Sequence, residues 1–185
     1  MKKSKYTARD FAFIGVMAAL VFVTTSTLSI KIPVGAGQTQ IHMGNVMCIL
    51  SGLLFGPVAG GLASGIGSMF VDLMNPAWAP EFWVTFIMKF VMGFMAGLIS
   101  HMGKPSKGKN IAAAIIGAVS YVACYLTKNY IQEAILMQQP WETVSAILVT
   151  KGMASLTNAL IAMTVSVVLY NMVYPALKRA NLLKD

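Results

Sequence analysis

Acidic side chains are scarce in this 185-residue chain: six Asp and Glu stand against fourteen Lys and Arg, and charged residues make up only 11% of the whole. An average soluble domain carries about 25% charged residues and roughly 45–50% apolar ones, whereas this chain is 57% hydrophobic. Little polar surface is left for a soluble catalytic module, and a single membrane domain over 1–185 is expected. Cysteine is nearly absent. Cys48 and Cys124 both fall in apolar runs, where a thiol behaves as a small hydrophobe and says nothing of redox compartment.

Other absences exclude chemistry. His42 and His101 are the only histidines. They lie far apart and on opposite predicted sides, so no metal site is expected and both read as interfacial or loop residues. There is no G-x-x-x-x-G-K-[ST] run, and Gly60, Gly61, Gly65 and Gly67 lack both the G-x-G-x-x-G order and a preceding strand. ATP hydrolysis by this chain is thereby excluded on that route. No nucleophile, base and orienting group converge in sequence, and Ser and Thr in membrane helices usually bond backbone or a neighbouring helix. The expectation is a non-enzyme with no catalytic residues and no cofactor. The net charge of +8 has no basic soluble face to belong to, so nucleic acid is not a partner.

What is present is a series of apolar runs near the roughly 20 residues that cross a bilayer. Breaks at charged, Pro and Gly clusters predict an all-α integral membrane protein of six transmembrane helices, at about 9–28, 41–55, 57–74, 82–102, 110–132 and 141–174. The last is longer than a membrane needs and is expected to tilt or leave the bilayer. The first follows a Lys cluster like a signal peptide, but runs into Thr24-Thr25-Ser26-Thr27 without a small-residue cleavage site, and is read as retained. Gly56-Pro57 makes a tight reversal, with Pro57 suited to a first helical turn. The small residues after it, from Ala59 to Ser68, describe a helix built to pack closely.

Charge sets the orientation. Lys2, Lys3, Lys5 and Arg9 precede the first helix, Lys104, Lys107 and Lys109 sit between the fourth and fifth, and Lys178, Arg179 and Lys184 follow the sixth. The positive-inside rule puts both termini in the cytoplasm. Asp72, Glu81, Glu133 and Glu142 fall near the predicted outer ends.

Polar groups inside spans are costly and usually face an interior or a cavity. Tyr121, Tyr125, Lys128 and Gln132 recur at spacings of 4, 3 and 4 and share a helical face, with Asn129 and Glu133 beside it. Lys151, Ser155 and Asn158 form a second stripe, and Lys89 lies above Gly93 and Gly97, whose missing side chains are expected to leave room by the ammonium. Lys89 and Lys151 fall in the outer half and Lys128 near the outer end, so the three converge on an outward-opening polar pocket. The alternatives are ion pairing of Lys89 or Lys151 with Asp72 or Glu133, snorkelling of Lys128, and Tyr121 and Tyr125 acting only in packing. The Pro-stiffened loop carrying Trp78 is a candidate lid, while Trp83 and Trp141 read as an interfacial belt. The loop from Lys31 to Gln40 is long enough to fold over the mouth, with Gln38, Thr39 and Gln40 as candidate contacts. Asp72 sits at the outer end of the packing helix beside the lid.

As a set, Gly15-Val16-Met17-Ala18-Ala19, Ile41-His42-Met43-Gly44-Asn45, the Leu53-Leu54-Phe55-Gly56-Pro57 corner with Asp72, and Phe86-Ile87-Met88-Lys89 with Gly93 resemble the substrate-binding S component of an energy-coupling factor (ECF) vitamin transporter. The resemblance covers nearly the whole chain. It implies a bacterial cell-membrane protein that binds a small-molecule vitamin and works with an energy-coupling membrane subunit and two cytoplasmic ATPases. It further implies that Gly15 and Ala19, matching a family A-x-x-x-A pair, pack against that subunit. The first three helices, about 9–74, would face the coupling module, and helices over about 82–174 with the first loop would hold the vitamin. The pattern is most similar to the hydroxymethylpyrimidine or pyridoxine-type group, with Asn45 standing where that group has an acidic residue and joining the candidate contacts. The lysines also suit the carboxylate of pantothenate. A self-contained channel or a structural membrane protein is the reading from another class, although no inverted repeat supports an autonomous carrier.

Overall fold

The computed structural model describes residues 7–35, 37–103 and 106–183. Lys2, Lys3, Lys5, Lys104 and Lys184 of the basic clusters lie outside the described residues. The first helix, α1 (Ala8–Thr27), starts at a capping box in which the Asp10 carboxylate accepts from the Thr7 amide at 2.7 Å and its hydroxyl at 2.9 Å. Its threonine-rich end stays helical because Thr24, Thr25 and Thr27 each donate a hydroxyl bond of 2.7 Å to the carbonyl four residues back.

A β-hairpin follows where a loop was expected, in an otherwise all-helical fold. Strands β1 (Ser29–Val34) and β2 (Gly37–His42) pair antiparallel from Ser29 opposite His42 to Val34 opposite Gly37, with Gly35 entering the turn at φ 58°. Ile41 and His42, expected inside the second span, are therefore strand residues, and α2 (Gly44–Phe55) has only 12 residues. At 1.5 Å per residue it rises about 18 Å, short of the roughly 30 Å hydrocarbon core. α3 (Pro57–Leu73) begins directly after Gly56, whose φ of 83° makes the reversal, and Pro57 occupies its first turn as expected.

After a short 3₁₀ turn (Ala79–Glu81) come α4 (Phe82–His101) and α5 (Lys107–Tyr130), the latter capped by Ser106, whose hydroxyl oxygen accepts from the Lys109 amide at 3.3 Å. α5 runs on through a π-helical turn (Ile131–Leu136) beyond its expected end at 132. α6 (Trp141–Arg179) passes through Pro175 to reach 39 residues. Four stretches, Ala8–Thr27, Ala79–His101, Lys107–Leu136 and Trp141–Arg179, are long and apolar enough to cross a membrane, and α2 and α3 are shorter apolar helices. Phe11, Val16, Val119, Leu160 and Met172 are each more than half exposed around the bundle, as a lipid-facing surface requires.

α3 is the packing hub. A Cβ on Gly60 would fall 2.6 Å from the Gly52 nitrogen of α2, one on Gly61 or Gly65 would strike Phe90 or Phe86 of α4, and one on Gly67 would strike Val21 of α1. These glycines are spent on partners inside the chain, so the small-residue face is not a surface left over for another protein. Gly93 and Gly97 of α4 likewise admit the backbone around Gly60 and Gly56, which corrects the expectation that they leave room beside Lys89. Hydroxyls join the helices where backbones meet: Ser51 bonds the Gly60 carbonyl at 3.2 Å and Ser64 the Cys48 carbonyl at 3.2 Å.

Arg9 donates to the Asn181 carbonyl at 2.5 Å, which brings the start of α1 to the end of α6. That end carries Lys178 and Arg179, while Glu81 and Glu133 lie at the other. The separation of charge follows the sequence expectation.

Candidate functional site

At the end away from Arg9 the helices part around a cavity of about 590 Å³. The hairpin closes one side of it. Asn158 of α6 clamps β2 by both ends of its amide, the oxygen accepting from the His42 amide and the nitrogen donating to the Gln40 carbonyl, each at 2.8 Å. The Thr39 and Tyr125 hydroxyls meet at 3.1 Å. Lys31 places its ammonium 5.8 Å from the Trp78 ring centroid, so the hairpin also meets the loop between α3 and α4.

Asn158→Leu is therefore expected to lower the opening free energy of the hairpin by about 2 kcal/mol, two hydrogen bonds at about 1 kcal/mol each. Hydrogen exchange at the amides of residues 38–42 reads this directly, and unchanged exchange would remove the clamp from the site.

Deep in the cavity Lys89 is 3% exposed. Its ammonium donates to the Asn45 side-chain oxygen and lies 3.7 Å from the Tyr121 ring centroid. Tyr121 and Tyr125 stack at 5.8 Å with 22° between their planes. On the far wall Lys151 donates to the Asn129 side-chain oxygen at 2.6 Å and pairs with Glu133 at 3.5 Å. The π-helical turn inserts one residue into the repeat, and it holds Glu133 8% exposed while neighbouring Ile131, Ile135 and Leu136 face outward. Lys128 reaches both Glu81 and Gln132 at 2.5 Å. Of the pairing alternatives, Lys151 takes Glu133, whereas Lys89 takes Asn45 and an aromatic face in place of Asp72.

Three lysines, Lys89, Lys128 and Lys151, thus share the lining with three carboxylates, Asp72, Glu81 and Glu133. His42, in the hairpin, is buried against this wall. Its Nδ1 accepts from the Gly44 amide at 3.2 Å, which leaves the proton on Nε2. The cavity is polar and nearly balanced in charge.

Twelve of the sequence-derived candidates line this one cavity: Lys89, Lys151, Asn158, Tyr121, Tyr125, Lys128, Gln132, Trp78, Gln38, Thr39, Gln40 and Asp72. Asn45 does not. It is 1% exposed beneath the floor and supports Lys89 from behind. Trp83 and Trp141 are 57% and 67% exposed on the outer surface, outside the cavity. Gly15 and Ala19 lie on an exposed face of α1, where a Cβ on Gly15 would meet nothing within 4 Å.

Thr25, His42, Ser68, Thr85 and Gln139 also line the cavity and were not among the candidates. A lone hydroxyl in an apolar run carries no spacing signal, and Thr25 illustrates why: it also satisfies itself on the Val21 carbonyl. Among the described residues no group of three His, Cys, Asp or Glu side chains that could hold a metal forms. Its polar groups can hydrogen-bond a solute and its rings can stack on one.

The family model described as ECF-type riboflavin transporter, S component, matches residues 5–175. A solved structure described as the S component of a bacterial ECF transporter superposes with a TM-score of 0.68 at 20% identity, covering 92% of this chain and 98% of that one. No curated protein matches the chain.

Proposed function

Because the chain belongs to the family of ECF-type riboflavin transporter S components, we propose that it is the vitamin-binding membrane subunit of such an importer and that its own ligand is riboflavin. The observation that carries this reading is the charge-balanced cavity of about 590 Å³ walled by the stacked Tyr121 and Tyr125. Pockets of about 300–1,000 Å³ bury ligands of drug size, and a fused heteroaromatic ring with a polyhydroxylated chain is of that size and uncharged. The ring has aromatic faces to stack on. Its hydroxyls find Lys89, Asn129, Lys151 and Asn158 as partners.

A single pyrimidine or pyridine ring of the hydroxymethylpyrimidine or pyridoxine type would leave much of the cavity to water. The carboxylate of pantothenate would meet Lys128 and Lys151 already paired with Glu81 and Glu133, which leaves Lys89 alone to receive it. Titration of the purified protein with riboflavin, read by flavin fluorescence quenching, is expected to show saturable binding that pyridoxine, hydroxymethylpyrimidine and pantothenate do not displace. Displacement by one of these at equal concentration would transfer the site to it.

The protein crosses the bacterial cell membrane with both termini in the cytoplasm, in keeping with the basic end formed by Arg9, Lys178 and Arg179. The short α2 reaches across only together with the hairpin. Ligand enters from the acidic end, and an energy-coupling membrane subunit with two ATPases supplies the energy. Gly15 and Ala19 form the docking stripe, since they are small, exposed and four apart near the middle of α1. Gly15→Leu is expected to abolish co-purification with the coupling subunit and leave ligand affinity unchanged. Retained docking with lost ligand binding would reverse that assignment. Uptake by vesicles holding this chain without any ATPase partner would favour the autonomous channel.

A further inference from the structure

A second recess lies at the opposite end of the molecule, between α1, α2 and α6. It has a volume of about 290 Å³ and every lining residue is apolar, with Phe13, Val16 and Leu20 on one wall, Phe55 as floor, and Val173 and Leu177 on the other wall. Phe13 stacks on Phe55 at 4.6 Å. The groove is open, and what gives it a specific occupant is the charge at its end.

Arg9 continues the groove-lining stripe of α1. At 3.6 residues per turn, Arg9, Phe13, Val16 and Leu20 fall within an arc of about 60°. The guanidinium sits 5.5 Å from the Phe13 ring centroid and donates one bond to the Asn181 carbonyl. Asn181 lies two residues past the end of α6, whose Leu169, Val173 and Leu177 line the other wall. Arg9 is thus held at the groove mouth by a ring and a carbonyl, one hydrogen bond among the described residues for a guanidinium with five donors. Lys178 and Arg179 adjoin Leu177 and raise the local positive potential. The nearest acid in sequence, Asp10, has its carboxylate on the Thr7 amide and hydroxyl.

We propose that this groove seats an acyl chain of an anionic membrane phospholipid, whose phosphate is held at Arg9 with Lys178 and Arg179 alongside. An apolar trough ending in an oriented guanidinium at the helix start, where a membrane-embedded helix meets the headgroups, matches such a lipid at both of its ends. The site is separate from the proposed docking stripe, because Gly15 and Ala19 lie about 110° further round α1. It is also independent of the vitamin reading.

Native mass spectrometry of the full chain from micelles doped with equal amounts of phosphatidylglycerol and phosphatidylcholine tests it. One phosphatidylglycerol adduct is expected at about fivefold excess over phosphatidylcholine, the factor one well-placed Arg contributes near an anionic headgroup. Arg9→Gln should bring the ratio to about one while Arg9→Lys keeps most of the preference, and thermal unfolding of the same samples at the wild-type temperature confirms that both variants are folded. Equal adducts for the wild type, or a preference that survives Arg9→Gln, would overturn the proposal. So would a dimer or a complex with a co-purifying membrane subunit that carries no lipid, since the groove would then belong to a protein surface.

Discussion

Gly93→Ala is expected to yield almost no folded protein, although it adds a single methyl group. A Cβ at this position would lie 2.8 Å from the Gly60 carbonyl carbon and closer still to its oxygen and to the Ser64 hydroxyl. Separations under 3.0 Å are ones that real Cβ atoms essentially never show, and backbone on a neighbouring helix cannot swing aside as a side chain can. Relief requires α3 and α4 to separate, and α3 also holds α2 through Gly60 and α1 through Gly67. Overpacking ordinarily costs about 1–3 kcal/mol. Here the clash with backbone puts the cost at or above the top of that range, a large share of the roughly 5–15 kcal/mol by which a domain is stable. Size-exclusion recovery in detergent and thermal unfolding measure it. Gly15→Ala, on an open face, is the matched control and should behave as wild type. Normal recovery and melting of Gly93→Ala would mean that α3 and α4 do not cross where the structure places them.

Lys89→Met separates function from stability in the opposite sense. The ammonium is buried among Asn45, Tyr121 and the cavity floor, and an ion so placed bears a desolvation cost that a well-packed apolar side chain avoids. Met keeps the length and fills the same space. Thermal stability is therefore expected to hold or rise, partly offset by the Asn45 side chain, whose oxygen loses its donor and whose nitrogen already lacks a partner. Ligand affinity is expected to fall about 10–100-fold, the equivalent of a charge-assisted hydrogen bond of about 1.5–3 kcal/mol. Lys151→Met should also weaken binding but with a fall in stability, because Glu133 is left buried without its cation. A Lys89→Met protein that melts earlier and binds ligand as before would make Lys89 a structural residue and move the site toward Lys151.

The helices were legible because Gly, Pro and charge mark their ends. α3 begins at Pro57, α4 at Phe82 and α6 at Trp141, each at the residue the sequence reading chose. The polar stripes were legible for a related reason, since a lysine or asparagine inside an apolar run has to face an interior. Spacing then assigned Tyr121, Tyr125, Lys128 and Gln132 to one wall and Lys151 and Asn158 to another. The hairpin carried a signal that went unread. Ile30, Ile32 and Val34 alternate with Lys31 and Pro33 before Gly35, a period-2 pattern ending in a turn residue, and Pro33 with two nearby glycines pulled the reading toward loop.

Other features had no sequence signature at all. The π-helical turn at Ile131–Leu136 contains neither Gly nor Pro, and it carries Glu133 to Lys151 at 3.5 Å across the cavity. Gly93 and Gly97 are indistinguishable in sequence from glycines that open a pocket, and only the crossing of α3 shows that they close one. Asn45 carries the right chemistry for a ligand contact, yet the start of α2 tucks it behind Lys89, where it positions the ammonium without reaching the cavity.

The identity of the small molecule that stays with the protein through purification is the most direct test of all. Native mass spectrometry of the wild-type chain purified from its own cells is expected to show one bound species with the mass of riboflavin, reduced to a trace in Lys89→Met. A tightly held molecule that is not a flavin, or one retained equally by Lys89→Met, would contradict the assignment of the cavity.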